Sequence, residues 1–343
     1  MWSSCAAETD TRPTCRSNAP GRRSSRPCST IGSRGRLVVA VKNVSKGKRR
    51  PLVHLFDGHV YIFRAYYSLP PMMAADETPC NAAYGFANTL IRYITEEDPS
   101  HVAVCFDAAM TSFRNELEPS YKAQRPEPPD DLEPQFDLCH EVSVALGFAT
   151  YEVDDYEADD LLGTICDEVV RRRGDARVLT TDKDLCQLVR EDGRIVVHDL
   201  AKERTFDADG VREKFGVSPS QIPDYLGLVG DSVDNLPGVP GIGAKSAAAI
   251  LQAFATIEEI PESFDDWSGV EARGAKRMAE KIAGHRDRAL RTKDLATVVR
   301  GVPGIAPGLS DLAYRGADRE RTEELFERLG WNRIRDRVPK WQS

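Results

Sequence analysis

The chain has 343 residues, of which 41% are hydrophobic and 29% charged, a composition typical of a globular protein with one large domain or two modest ones. No apolar run approaches the roughly 18 residues needed to cross a bilayer, and the N-terminus lacks the apolar block of a secretory signal. With 54 acidic and 46 basic residues the formal net charge is −8, which is not that of a generic DNA-binding protein.

Charge separates the first 50 residues from the rest. Residues 1–50 contain 12 Lys/Arg and 2 Asp/Glu, a balance of +10, which leaves 34 basic and 52 acidic residues, a balance of −18, in residues 51–343. The segment is rich in Ser, Arg, Gly and Pro and has little apolar periodicity. We predict a disordered basic leader, which is either an arm for nucleic acid or the product of a start codon assigned too far upstream.

The eight cysteines form no CxxC pair and show no Cys/His spacing typical of a zinc site. Most of those in the folded part lie in apolar surroundings, as buried reduced thiols do. We therefore expect a reducing compartment, the cytoplasm.

From Leu52 onward, short apolar runs alternate with patterns of helical period. The predicted strands are LVHLFD (52–57), HVAVCFD (101–107) and ARVLTT (176–181). The predicted helices are VYIFRAYYSL (60–69), AAYGFANTLIRYITEE (82–97), DLEPQFDLCHEVSVALG (131–147) and YEADDLLGTICDEVVRRRG (156–174). This alternation is typical of an α/β fold in which helices flank a parallel or mixed sheet.

The pattern changes near residue 206, where the chain becomes helical and rich in turns. We predict an α/β catalytic domain over residues 51–205 and a smaller helical domain over 206–300. Residues 301–343 are predicted to contain a helix at ERTEELFERLG (320–330) and to end in a polar tail.

Acidic residues recur at positions that such a sheet would bring together. Asp57, Asp107 and Asp182 end or follow the three predicted strands, and ligands of these sheets bind beyond the carboxyl ends of the strands. Two hard cations about 4 Å apart can activate water and stabilise both oxygens in phosphodiester hydrolysis, and Mg²⁺ prefers oxygen ligands. The candidate metal ligands are Asp57, Asp107, Glu157, Asp159, Asp160, Asp182, Asp184, Asp231 and Asp234. Taken alone, a pair such as Asp231 and Asp234 is more typical of a solvated turn.

The segment LPGVPGIGAKSAAAI (236–250) has the pattern of a helix-hairpin-helix element. Gly238, Gly241 and Gly243 permit a tight turn before a helix of small residues. Free N–H groups at the start of that helix can bind a DNA phosphate, with Lys245 beside them. The alternative is a Gly/Pro connector between packed helices; the spacing of a Walker A loop is absent.

A basic and aromatic segment, SFRNELEPSYKAQRP (112–126), follows the strand that delivers Asp107. It contains Arg114, Lys122 and Arg125 together with Phe113 and Tyr121. Such residues can guide single-stranded nucleic acid by charge and stacking. An ordinary solvated loop and helix is the alternative interpretation.

Several motifs then occur in a fixed order: DGHVYIFRAY, VCFDAAMTSFRNELEPSYKAQRP, YEADD, TTDKDLCQLV and GLVGDSVDNLPGVPGIGAKSA. Together they resemble the bacterial and phage 5′ nucleases of the flap-endonuclease superfamily, which includes the N-terminal nuclease part of bacterial DNA polymerase I. The similarity runs from about residue 51 to 300. Thr181 departs from it, since family members usually have Gly before Asp-Lys-Asp, and no polymerase domain follows, so we expect a free-standing nuclease.

The resemblance implies a PIN-like α/β nuclease fold with a helical arch, a helix-hairpin-helix subdomain with a bound K⁺, and two Mg²⁺ ions, for which Mn²⁺ could substitute. It implies one metal held by Asp57, Asp107, Glu157, Asp159 and Asp160, and a second held by Asp182, Asp184, Asp231 and Asp234. It places Tyr121, Lys122 and Arg125 in an arch that handles the 5′ strand, and Gly238, Gly241, Gly243 and Lys245 on the duplex backbone. Arg114 is expected to contact DNA as well.

The predicted function is that of a 5′-3′ exodeoxyribonuclease and 5′ flap endonuclease in replication and repair, with Lys122, Arg125 and Asp182 in catalytic roles. Its expected partner is DNA with 5′ ends, flaps or gaps; we expect no membrane, no small-molecule cofactor, and a monomer in the nucleoid. A PIN-like ribonuclease is the second hypothesis, against which the glycine hairpin argues. A non-catalytic DNA-binding module is the third; it predicts missing carboxylates, and none of the nine is missing.

Overall fold

The computed structural model describes residues 50–270 and 274–342 of the chain. The predicted leader lies outside the described residues, apart from Arg50.

A six-stranded mixed sheet organises these residues. Its strands are β1 (Leu52–Asp57), β2 (His101–Cys105), β3 (Ala149–Tyr151), β4 (Asp175–Leu179), β5 (Ile195–Asp199) and β6 (Arg204–Phe206). Their order is β3-β2-β1-β4-β5-β6, with β1 to β5 parallel and β6 antiparallel to β5. The predicted α/β fold with a mixed sheet is confirmed, although sequence reasoning missed β3, β5 and β6.

Helices lie on both faces of the sheet and are the main secondary structure after residue 206. Those before this residue are α1 (Gly58–Ser68), α2 (Asn81–Glu97), α3 (Phe113–Leu117), α4 (Glu133–Ala145) and α5 (Ala158–Arg171). Those after it are α6 (Ala208–Phe215), α7 (Ile222–Val229), α8 (Ala244–Ala253), α9 (Ala275–Gly284), α10 (Arg286–Ala296), α11 (Arg319–Arg328) and α12 (Asn332–Arg335). A two-stranded ribbon, β7 (Gly230–Asp231) and β8 (Leu236–Pro237), follows α7.

The alternation of side chains along β1 generates two hydrophobic layers. Val53 and Leu55 belong to a core shared with α5, α7 and α8, whereas Phe56 belongs to the opposite core, shared with α1, α2 and α4. All three are fully buried. Because β1 is central and covered on both faces, its sequence is a nearly continuous apolar run.

The turn from β1 into α1 requires glycine. A Cβ atom on Gly58 would lie 2.5 Å from the Phe106 ring and 2.9 Å from the carbonyl oxygen of Cys105. The close approach lets α1 start directly after Asp57, the last residue of β1, so that this aspartate stays at the sheet edge.

Two expectations about local structure need correction. Where the resemblance implied a helical arch, residues 113–125 form the five-residue helix α3 followed by turns. The C-terminal segment is not a free polar tail, because Trp331, Ile334 and Val338 are buried and the Thr322 hydroxyl donates a 2.8 Å hydrogen bond to the carbonyl oxygen of Ala145 at the end of α4. Apolar residues three and four positions apart pack this segment into the core.

The cysteines of the described residues match the prediction. Cys80, Cys105, Cys139, Cys166 and Cys186 are buried and form no disulfide among the described residues. Among the helices of residues 50–270 and 274–342, none has the length and apolar character needed to cross a membrane.

His54 makes the stability of the sheet depend on pH. It lies on β1 with 5% of its surface exposed, and its Nδ1 shares a hydrogen bond with the Tyr93 hydroxyl. Burial, reinforced by the nearby Arg177 guanidinium, lowers the pKa of His54 from 6.5 to about 4. The unfolded chain therefore takes up a proton near pH 6.5 that the native protein does not accept until near pH 4.

We expect this difference to lower the free energy of unfolding by about 2 kcal/mol as the pH falls from about 7 to about 5. Urea unfolding at both pH values would measure the loss. The His54→Gln variant should lack this part of the pH dependence, whatever its absolute stability. An identical pH dependence in both proteins would contradict the assignment.

Candidate active site

Three acidic side chains meet at the carboxyl edge of the sheet. Strands β2, β1 and β4 are parallel neighbours, so their carboxyl ends lie at the same edge. Asp57 ends β1, Asp107 follows β2, and Asp182 follows β4. The arrangement is the one predicted from the sequence.

Asp57 is almost completely buried, with 5% of its surface exposed. Its Oδ2 accepts a 2.8 Å hydrogen bond from the Thr180 hydroxyl, and Thr180 Oγ1 in turn accepts a 3.0 Å bond from the backbone N–H of Asp182. Burial raises the pKa of Asp57, and the carboxylates of Asp107 and Asp182 raise it further. Thr180 therefore links two acids that repel each other.

The start of α5 supplies a second set of acids. Asp107 Oδ1 accepts a 2.6 Å hydrogen bond from the backbone N–H of Ala158, the first residue of α5, so β2 and this helix are held together at the edge. Asp159 lies in the first turn, where the positive end of the helix dipole favours an anion. Burial, followed by the Asp182 and Asp57 carboxylates, raises the pKa of Asp159 well above its usual value.

The loop after β4 carries a further group of charged residues. Asp184 begins a 3₁₀ helix (Asp184–Leu188), and its N–H donates a 2.8 Å hydrogen bond to Asp182 Oδ1. Lys183 Nζ lies 2.8 Å from Oδ2 of the buried Asp231. The Oδ1 atom of Asp184 is buried and has no hydrogen-bond partner among the described residues. An unpaired buried carboxylate oxygen is costly unless a cation or water binds it.

The basic segment lies directly on two of the candidate acids. Lys122 Nζ donates a 2.9 Å hydrogen bond to Glu157 Oε2, and Arg125 Nη2 donates a 2.6 Å bond to Asp234 Oδ1. Burial disfavours the charged form of Lys122, but Glu157, Tyr121 and Asp234 together outweigh it and hold the lysine pKa well above its usual value. Both predicted catalytic cations are thus at the edge, where they neutralise carboxylates.

Tyr121 and Arg114 were expected to contact DNA, and this expectation needs correction. Tyr121 is 3% exposed, and its hydroxyl lies 3.2 Å from Glu157 Oε2 and 3.3 Å from Asp234 Oδ2. Arg114 is 2% exposed. Both side chains are buried and stabilise the site by contacting its acidic residues.

Asp160 was expected to bind metal, yet its oxygens are already occupied. Arg114 holds it with two hydrogen bonds, of 2.7 Å to Oδ2 and 2.8 Å to Oδ1. The backbone N–H of Glu157 donates to Oδ2 and that of Val299 donates to Oδ1. Arg114 also donates to the carbonyl oxygens of residues 295 and 297. Asp160 is therefore a structural partner that fastens α5 to the segment after α10.

The other acids have the chemistry of a Mg²⁺ site but not the form of a closed cage. No three Asp, Glu, His or Cys side chains in residues 50–270 and 274–342 are arranged as a group that could hold a metal ion. Asp57 and Asp159 instead have raised pKa values, and Asp184 has one unpaired oxygen. Glu157, Asp231 and Asp234 are bonded to Lys122, Lys183 and Arg125 respectively. The carboxylate donors and the unpaired oxygen fit a hard cation, which often keeps several water ligands.

The glycine hairpin forms as predicted between α7 and α8. A Cβ on Gly230 (φ +81°) would lie 2.4 Å from the backbone nitrogen of Gly238, so the two backbones are in direct contact. The first residues of α8 follow Gly243, which offers no side-chain cap, and Gly243 and Lys245 are exposed. Among residues 50–270 and 274–342, no side chain caps the N–H groups at the start of α8, which leaves them available to a ligand.

Sequence reasoning missed residues that hold the acids in place. Thr180 bonds to Asp57, Lys183 pairs with Asp231, and the Ser112 hydroxyl donates a 2.9 Å hydrogen bond to Glu157 Oε1. Thr180 and Lys183 lie within two residues of Asp182 in the sequence, so their proximity to a predicted metal ligand could have identified them. No local pattern pointed to Ser112, whose partner is 45 residues away.

An α/β sheet with an acidic carboxyl edge, joined to a helical hairpin domain, defines the nuclease class that the sequence resembled. The chain matches the family described as 5′-3′ exonuclease, N-terminal resolvase-like domain, over residues 52–216. It matches 5′-3′ exonuclease, C-terminal SAM fold, over residues 217–320. The chain belongs to the 5′-3′ exonuclease family, and the predicted enzyme class is confirmed.

Relatives by sequence agree with this membership, and solved structures share the fold. DNA polymerase I of Bacillus caldotenax is 37% identical over 289 residues, which are 83% of this chain and 32% of the polymerase. The chain thus spans about a third of the length of the curated relatives it matches. T5 5′-exonuclease, solved with zinc, superposes with a TM-score of 0.60 at 21% identity, over 80% of this chain and 98% of that one. A T5 flap endonuclease, solved with DNA and metal ions, gives 0.58 at 19% identity, over 81% and 99%.

The buried Arg114–Asp160 pair should be essential for stability. We expect Arg114→Met to destabilise the protein by about 3 kcal/mol, because it leaves a buried carboxylate without its counter-charge. Adding Asp160→Asn should recover part of the loss. Arg212→Met, which removes an exposed partner of Glu191 and Asp209, serves as the control and should change stability little. Urea unfolding measures all four; wild-type stability in Arg114→Met would refute the structural role.

Proposed function

We propose that the chain hydrolyses phosphodiester bonds of DNA at 5′ ends, gaps and 5′ flaps, with two divalent metal ions held at the carboxyl edge of the sheet. The observation that carries the proposal is the crowding of Asp57, Asp159 and Asp182, whose pKa values are raised by burial and by neighbouring carboxylates. Anions held together in this way are stabilised by a bound cation.

The metal ligands proposed here exclude Asp160. One ion would be held by Asp57, Asp107, Glu157 and Asp159, and the other by Asp182, Asp184, Asp231 and Asp234. Mg²⁺ is the proposed ion, with Mn²⁺ as a substitute, because the donors are all carboxylates. Bound Mg²⁺ supplies activation of water and neutralisation of charge at the phosphate.

The protein's own cations would act on the same phosphate. Lys122 and Arg125 now neutralise Glu157 and Asp234. With metal ions bound to these carboxylates, Lys122 and Arg125 would be free to bind the phosphate under attack and to stabilise its developing charge. Lys122 and Arg125 are therefore proposed as catalytic residues, with Asp182.

The hairpin would bind the DNA duplex through the phosphate backbone of the DNA. Gly243, Ala244 and Lys245 expose the start of α8, and N–H groups at a helix start bind phosphate without reading the bases. Gly238 and Gly241 shape the turn. A K⁺ ion would bind at this hairpin. The T5 flap endonuclease solved with DNA and metal ions, which shares this fold, supports DNA and metal as the partners. We propose that the protein works as a monomer in the cytoplasm.

Cleavage of a duplex whose 5′ flap is blocked at its end tests the proposal. We expect incision near the junction with Mg²⁺ and none with a chelator. In Asp182→Ala we expect at least about a hundredfold loss of cleavage, since even outer partners of metal ligands cost 10- to 100-fold, while DNA binding is largely kept.

Asp209→Asn provides the matched control, because the Asp209 side chain is 95% exposed and lies on α6, where it pairs with Arg212. It should cleave like the wild type. Cleavage of RNA alone would favour a PIN-like ribonuclease. Binding of flap DNA without cleavage of flap or free end would favour a DNA-binding module.

A further inference from the structure

A charged cavity adjoins the carboxylate edge of the sheet. Its volume is about 100 Å³, and it lies between the loop after β4, the strands β5 and β6, and the helix α6. One wall consists of residues 180–182, the loop whose Thr180 bonds to Asp57. The other lining residues are Val197, Asp199, Lys202, Arg204, Phe206 and Lys214.

Three cations line this cavity, and two of them lack an ionic partner among the described residues. Lys202 Nζ lies 3.3 Å from Oδ2 of the buried Asp199. Arg204 and Lys214 instead lie against the ring of Phe206, with their charged groups 4.5 Å and 4.6 Å from its centroid. Partial burial lowers the pKa of Lys214, and the nearby cations of Arg204 and Lys202 lower it further. The lining also contains the carboxylates of Asp182 and Asp199, so three cations face two anions and a formal charge of +1 remains, which favours an anion in this cavity.

The size of the cavity limits what the anion can be. Pockets for whole small molecules have volumes of roughly 300 Å³ or more, and a water molecule takes up roughly 30 Å³. The cavity of about 100 Å³ therefore suits a single tetrahedral phosphate group rather than a nucleoside.

We propose that Arg204 and Lys214, assisted by Lys202, bind a phosphate group of the DNA strand immediately beside the carboxylate edge. The cavity and the edge share the loop at residues 180–182, so a strand held at one would pass the other. This inference rests on the proposed function and adds a substrate-binding subsite to it. The group is either a phosphodiester within the strand or a terminal 5′-phosphate.

The variant Arg204→Gln/Lys214→Gln tests the subsite. We expect its affinity for gapped and flap duplexes, measured by fluorescence anisotropy with a chelator present, to fall about tenfold at 0.1 M salt for each phosphate that the variant no longer binds. The slope of log K against log salt concentration should become shallower by about 1 to 2. The charge-conserving variant Arg204→Lys/Lys214→Arg should bind within severalfold of the wild type.

The matched control is Arg319→Gln/Lys340→Gln. These two cations also rest on aromatic rings, those of Trp341 and Tyr314, but lie in the C-terminal segment outside the cavity. The control should keep the wild-type affinity and salt slope. Equal losses in the two double variants would overturn the proposal, because they would reflect net charge alone.

Modified DNA identifies the phosphate. If a phosphodiester is bound, one neutral methylphosphonate position should weaken wild-type binding and leave the Arg204→Gln/Lys214→Gln variant unaffected. If a terminal phosphate is bound, only the wild type should prefer a 5′-phosphate over a 5′-hydroxyl. Absence of both effects, with flap cleavage by the wild type intact, overturns the subsite alone; failure of the wild type to cleave any DNA overturns the proposed function.

Discussion

Electrostatic repulsion among carboxylates at one edge of the sheet is the constraint on which the rest of the structure depends. Parallel strands β1, β2 and β4 bring Asp57, Asp107 and Asp182 to the same place, and α5 adds Asp159. Burial and repulsion from neighbouring carboxylates raise the pKa of Asp57, Asp159 and Asp182. Hydrogen bonds from Thr180 and from the α5 backbone reduce the repulsion between these carboxylates. Ion pairs with Lys122, Lys183 and Arg125 reduce it further.

Two kinds of acid coexist within a few residues at the start of α5. Asp160 has all its acceptor positions filled and is tied to Arg114, so it holds the fold together. Asp159, one residue earlier, has a raised pKa and faces the carboxylates of Asp182 and Asp57. The direction in which each side chain leaves the helix separates a structural acid from a candidate ligand. Identity and spacing in the sequence do not separate them.

Features carried by short, contiguous patterns could be predicted from the sequence. The apolar run of β1, the amphipathic helix α2 and the glycine hairpin were all found, and so was the meeting of Asp57, Asp107 and Asp182 at one edge. The strands β3 and β6 were missed because each has only three residues, too few to show a period. Burial of Trp331 and Val338 was missed because it depends on packing against distant parts of the chain.

The roles of basic residues were the hardest to predict, because a cation near an acidic site can serve either the protein or its ligand. Arg114 stabilises the fold by binding Asp160, which lies 46 residues away in the sequence. Lys122 and Arg125 bind carboxylates here and are proposed to bind phosphate during the reaction. Arg204 and Lys214, which no motif singled out, lie against Phe206 beside the site.

Mn²⁺ binding, followed by the electron paramagnetic resonance signal of the free ion, tests the central claim most directly. The account predicts saturable binding of two ions to the wild-type protein, and at least about tenfold weaker binding to Asp57→Asn/Asp182→Asn. Saturable binding should persist in Asp209→Asn. No saturable binding to the wild type, or undiminished binding to the double variant, would contradict a metal site at the sheet edge.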